Sequence, residues 1–205
     1  MIEVSAEAIE RVEALLAGVP KGAERALSNA MNRGLSKVKI GASKKVREVY
    51  TVQASAINEA TNTRMKRTST GDLAGFISFA GYKIPLYKFK VTPKAPGIRK
   101  RVQATIKKGE GGTFEDAFIA QMKTGHLGVF ERTGEQGIEA RMAKAKKKGS
   151  TGNKHTEKIE EKMGLAMGQM LGNPKVIEEL EKEAQKTVDE RIVHEIDRLL
   201  NGYGG

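Results

Sequence analysis

Two stretches with a helical, 3.6-residue apolar period enclose a middle stretch whose period is two. This change of period constrains the fold more than any other feature, because helices and strands bury different sets of side chains. Ser5 is placed to cap a first helix carrying Ala8, Ile9, Val12, Leu15 and Leu16, which Gly18 and Pro20 stop. A longer helix is predicted over about 21–49. Its apolar face (Ala26, Leu27, Ala30, Gly34, Val38, Ala42 and Val46 among others) is rich in small residues, which lets a neighbour approach closely. The opposite face carries Arg25, Arg33, Lys37, Lys44, Lys45 and Arg47. A short helix follows around Ala54–Ala60. At the far end, Asn173 caps, Pro174 takes the first helical position, and Asn201-Gly202 closes a helix reaching about Leu200. Its stripe is Ile177, Leu180, Ala184, Val188, Ile192, Ile196 and Leu199. A further short helical piece is predicted near 158–171, with Met163, Met167 and Met170 as packing residues against another subunit or partner.

Between these helices the pattern gives five or so strands. Residues 72–80 read as a strand with 61–68 as its partner, and 84–91 contain another, with Pro85 at an edge or bulge. Residues 101–107 alternate cleanly, so Val102, Ala104 and Ile106 face a core. Residues 108–113 read as a glycine-rich loop that lacks the Gly-Lys-Ser/Thr ending of a phosphate loop. Residues 118–123 and 127–133 flank Thr124-Gly125-His126, a hairpin signal, and the connections throughout are too short for crossover helices. The class that follows is α+β: a central, mostly antiparallel sheet flanked by long N- and C-terminal helices. One domain is expected over 1–205, with a flexible basic loop at about 134–156.

The charge is unevenly placed. The net value of +11 arises from +15 over residues 33–108 and +5 over 137–156, set against −2 over 1–32, −3 over 109–136 and −4 over 157–205. Clustered Lys and Arg suit a polyanion or an acidic neighbour in an assembly. Lys144, Lys146, Lys147, Lys148, Arg99, Lys100 and Arg101 are the candidate contacts to DNA or to an acidic partner. A protein that binds DNA without sequence preference through the basic 33–108 region is one functional reading. With no Cys, disulfides, thiolate metal sites and cysteine nucleophiles are excluded. His126, His155 and His194 stand apart from one another and from carboxylate clusters at ligand spacing, so neither a metal nor a cofactor is expected. No serine-nucleophile motif occurs, and Glu178 with Lys182 is an ordinary helix-surface pair, so the chain is not read as an enzyme. No apolar run approaches the ~18 residues of a membrane span, and the first residues lack the basic-then-apolar order of a secretory signal.

One segment is distinctive. Phe118, Met122, Gly125, His126, Gly128, Val129, Phe130 and Arg132 form a phenylalanine-led strand, a Met-x-x-Gly-His-x-Gly-Val-Phe turn and a returning strand with an arginine. This arrangement resembles the central motif of the phage minor tail protein Z, or tail-completion, family. The basic helix around 26–47 leading into Tyr50-Thr51-Val52-Gln53, the segment Ile84-Pro85-Leu86-Tyr87-Lys88-Phe89, and Met167-Gly168-Gln169-Met170 ahead of a helix with His194-Glu195-Ile196 agree with that family. The similarity covers roughly 20–200; residues 141–161 depart from it, being Lys-rich and Pro-free. The resemblance implies a structural virion protein at the head-proximal end of the tail. It implies a ring of six copies between tail tube and head connector, through which DNA passes. Its partners would be further copies of the chain and the neighbouring tube, terminator or connector proteins. The hairpin residues would act structurally, with Gly125 and Gly128 supplying backbone torsions closed to other residues.

Overall fold

The computed structural model describes residues 4–98, 101–136 and 157–202. The chain is α+β, with long helices toward its two ends and, among the described residues, ten strands between them. Where the sequence suggests one domain, the tertiary contacts form two compact units. The first comprises Met1–Tyr50, Ile57–Tyr82 and Ala166–Gly205, the second Thr51–Ala56 and Lys83–Leu165.

In the first unit, α1 (Ala6–Leu15) is capped by Ser5, whose side chain accepts from the Ala8 amide at 3.2 Å. The long α2 (Gly22–Val49) and the last helix, α5 (Pro174–Leu200), run antiparallel: Asn29 meets Glu195, Gly34 meets Val188, Gly41 meets Leu180 and Lys45 meets Glu179. The small-residue face does what its composition predicts. A Cβ on Gly34 would stand 2.5 Å from Cγ2 of Val188, so only glycine lets the helices pack at this distance. Val12, Leu16, Leu27, Ala30, Val188, Ile192, Ile196 and Leu199 form the core of this unit. At the start of α5 the buried residue is Val176, and Ile177, placed in the stripe by the sequence, is 42% exposed. Asn173 caps α5 by accepting from the Lys175 amide, and its own amide donates to the Tyr50 hydroxyl at 3.1 Å. The short α3 (Ala54–Ala60) precedes β1 (Thr61–Lys66), which pairs antiparallel with β2 (Phe76–Gly81). The helix α4 (Met167–Leu171) completes the unit.

The second unit holds the remaining strands. The segment 84–91 is not one strand: β3 (Lys83–Pro85) gives way to a 3-10 turn at Leu86–Lys88 before β4 (Lys90–Thr92). Proline cannot continue a ladder as a donor, which fits the break. Strand β5 (Val102–Lys107) buries Val102 and Ala104 as the alternation requires. The glycine-rich 108–113 is not a loop. Lys108-Gly109 turns the chain, with Gly109 at φ +86°, and β6 (Glu110–Phe114) pairs back on β5. Strands β7 (Ala117–Gln121) and β8 (Leu127–Gln136) form the expected hairpin. Residues 134–136 end β8 rather than begin a loop, and 137–156 lie outside the described residues.

The largest correction concerns 158–171, read from sequence as helical. It is β9 (Glu157–Glu161), β10 (Met163–Ala166) and only then α4. Glu161, Glu160 and Ile159 pair with Phe130, Glu131 and Arg132 of β8. The open edge of β8 supplies ladder hydrogen bonds that outweigh the helix propensity of a Glu- and Lys-rich segment, a small term per residue. Among the described residues the strands fall into four small sheets, β1-β2, β3-β10, β4-β5-β6 and β7-β8-β9. Leu86, Val91, Val102, Ala104, Ala117, Ile119 and Val129 form the core of this unit.

Candidate functional site

The turn between β7 and β8 builds the family-like motif. Met122 and His126 close the loop, the Met122 amide donating to the His126 carbonyl at 2.8 Å and the Gly125 amide to the Met122 carbonyl at 2.9 Å. Gly125 sits at φ +85°, the left-handed residue that a three-residue hairpin loop demands. Gly128 has a different role from the one expected. Its φ is not positive; instead, a Cβ there would lie 2.7 Å from Oε1 of Glu161 and 2.8 Å from the Phe130 ring. Its contribution is space, not torsion.

Alternation along β8 then sorts the motif onto two faces. Val129 points inward and is fully buried, as is Ile119 opposite it to within 7%. His126, Phe130 and Arg132 gather on the other face with Phe118 and Glu161. The His126 Nε2 lies 2.8 Å from Oε1 of Glu161, and its ring meets Phe130 edge-on at 6.4 Å. Phe118 and Phe130, paired across the strands, have ring centroids 6.3 Å apart. The Arg132 guanidinium lies over Phe118, 5.4 Å from its centroid, a cation–π contact. Lys162, just past β9, pairs with Glu131. The histidine read as isolated thus has a carboxylate partner 35 residues away. The signal for that partner was weak, because it lies in the segment whose period misleads. Among the described residues, no three His, Asp or Glu side chains converge as metal ligands.

The other candidates scatter. Arg101 pairs with Glu115 at 3.1 Å on the surface of the second unit. Arg99, Lys100, Lys144, Lys146, Lys147 and Lys148 lie outside the described residues. Met167 and Met170 are buried within the first unit, so packing against another subunit does not involve them; Met163 is 44% exposed.

The first unit has a charged centre that the sequence reading passed over. Glu195 is 1% exposed, yet both carboxylate oxygens are engaged. Arg191 meets Oε1 at 2.6 Å, while Arg198 at 2.9 Å and the Asn29 amide at 3.1 Å meet Oε2. Burial by itself raises the pKa of this carboxyl; the Asn29 hydrogen bond and the two guanidinium charges outweigh it and hold the group below the usual carboxylate range. A legible signal existed: position 195 falls on the apolar stripe of α5 beside Ile192 and Ile196. Lys45, which the sequence puts on the face of α2 opposite the apolar stripe, is instead turned toward α5. It is 8% exposed and bridges Glu183 at 2.8 Å, Glu179 at 3.2 Å and Glu48 at 3.4 Å, which raise its pKa. Elsewhere in this unit an apolar hollow of about 530 Å³ is lined by Leu35, Phe76, Phe79, Leu171, Ile177 and Leu180.

Compared with protein-family models, with curated proteins and with solved structures, the chain gives no match.

Proposed function

We propose that this chain is a structural protein of a phage virion, acting in the tail-completion region and assembling as a ring between tail tube and head connector. The observation that carries the reading is the convergence of the motif residues. Phe118, His126, Phe130 and Arg132 gather on one face of the β7–β8–β9 sheet, tied by Glu161, around a turn that needs Gly125 for its torsion and Gly128 for its space. Such a cluster does no bond-making chemistry by itself. It stiffens a hairpin and holds aromatic and charged groups in fixed positions, which suits a part that must fit neighbours. The half-exposed Phe76 and Ile177 at the apolar hollow add surface of the kind that subunit contacts cover.

The test is to locate the chain in purified virions by electron microscopy and to weigh the purified protein by native mass spectrometry. A symmetric ring at the junction of tail and head, with six copies as the resemblance implies, is the expected result. A position at the tail tip or inside the capsid would overturn the reading, as would absence from virions.

A further inference from the structure

We infer that the first unit carries a phosphate-binding site, an arginine-lined hollow between α2, the end of β1 and α5. The hollow has a volume of about 420 Å³, and Arg33, Arg67, Arg191 and Arg198 line it around Glu195. Four guanidinium groups face one carboxylate, and that carboxylate is already saturated by Arg191, Arg198 and Asn29. The charges of Arg33 and Arg67 are therefore left over from the acid in the wall.

The four arginines divide into two pairs. Glu195 holds Arg191 and Arg198 in place from beneath. Arg33 and Arg67 stand at the exposed rim and make no ion pair among the described residues. The backbone beside Arg67 is firmly placed. The next residue, Thr68, is 6% exposed and clamped to α2: the Asn32 amide donates to its carbonyl at 3.0 Å, its amide donates to Asn32 Oδ1 at 2.9 Å, and its hydroxyl donates to the Ser28 carbonyl at 3.0 Å. The charge of neighbouring Lys66 is matched by Asp72 at 2.7 Å, whereas that of Arg67 is not. Two guanidinium forks held by Glu195, beside two that no acid matches, suit a tetrahedral, multiply charged oxyanion better than a lone lysine would. The ligand class is a phosphate group, supplied by a nucleic-acid backbone or by free phosphate. This does not depend on the ring reading: a monomer absent from virions could still bind through this hollow.

The test uses the full chain and a short fluorescent DNA duplex, titrated between about 50 and 200 mM salt. Arg33→Gln with Arg67→Gln should weaken binding at least about tenfold and lower the salt slope by roughly 0.9 for each lost contact. Both residues lie at the rim, outside the Glu195 network, so the thermal unfolding of this variant should match the parent. Lys83→Gln with Lys90→Gln, equal in charge lost but in the second unit, should leave duplex binding within about twofold of the parent. A second arm adds inorganic phosphate at matched ionic strength. If the duplex does not bind but phosphate raises the parent's Tm more than that of the arginine variant, the source is free phosphate and the proposal stands. Equal weakening by the two double variants would assign the binding to diffuse charge and overturn the site. So would response to neither probe. Polyglutamate bound through Arg33 and Arg67 more tightly than either phosphate source would assign the hollow to a protein carboxylate and likewise overturn it.

Discussion

Single side chains in this molecule answer to electrostatics at buried positions and to space at glycines. Glu195 is the clearest case of the first. Replacing it with Ala removes the shared counter-charge of Arg191 and Arg198, which are about a third exposed and regain water, so a loss of about 1.5–3 kcal/mol is expected. Urea unfolding of Glu195→Ala at neutral pH measures it. The pH dependence has a definite sign. The folded-state pKa lies below the unfolded one, so the stabilisation is present above the unfolded value of about 4.3 and fades as pH falls through the folded value. The stability gap between parent and Glu195→Gln should therefore be widest near neutrality and shrink in acid; a gap unchanged from pH 7 to pH 3 would contradict the assignment. The two hairpin glycines separate by mechanism. Gly125→Asn should cost less than Gly125→Ala, itself worth roughly 1–2 kcal/mol, because asparagine tolerates the left-handed region. Gly128→Asn should have no such advantage over Gly128→Ala, since both carry the Cβ that strikes Glu161 and Phe130. Denaturant unfolding of the four variants decides this.

Among the elements, the α2–α5 pair shows how a small-residue face is used. Gly34→Ala improves helix propensity by about 1 kcal/mol in isolation, but here the new methyl meets the stiff, fully buried Val188. The expected net result is destabilisation, and Val188→Ala should cost less in the Gly34→Ala background than in the parent. A double-mutant cycle checks this, and strict additivity would show that the helices part without strain. The start of α5 gives a simpler case. Asn173→Ala removes a cap and strands the Tyr50 hydroxyl, so a loss of about 1–2 kcal/mol is expected from thermal or urea unfolding. Strand β9 makes the opposite point about local pattern. Glu157–Glu161 has no strong strand preference of its own and is a strand because β8 leaves an edge to be paired.

For the whole molecule, the proposed ring predicts a separation of folding from assembly. Phe76 is 55% exposed, so Phe76→Asp should leave Tm within a few degrees of the parent. Native mass spectrometry should nevertheless show the ring weakened if the apolar hollow contributes to subunit contacts. Loss of Tm with loss of assembly would instead mark Phe76 as part of the fold. The alternation of basic and acidic zones along the chain acquires meaning at this scale too. Acidic residues of α5 neutralise part of the charge of α2, as Glu179 and Glu183 do for Lys45, while Arg33 of α2 and Arg67 beyond β1 make no ion pair among the described residues.

The positions of α1, α2, α3 and α5, their caps, most of their buried stripes and the β7–β8 turn were determined by the sequence alone. Caps, apolar period and glycine torsion are interactions among residues a few places apart, so a local reading captures Ser5, Asn173, the α2 stripe and Gly125. Tertiary structure decided the rest. The glycine-rich 110–114 became β6, and 157–166 became β9 and β10, because each found a strand with unpaired backbone groups to satisfy. Glu161 reached His126 across 35 residues, Lys45 reached Glu179 across 134, and Asn29 reached Glu195 across 166. The chemistry of such groups depends on which charge the folded chain sets beside them, and no spacing within a single element encodes that.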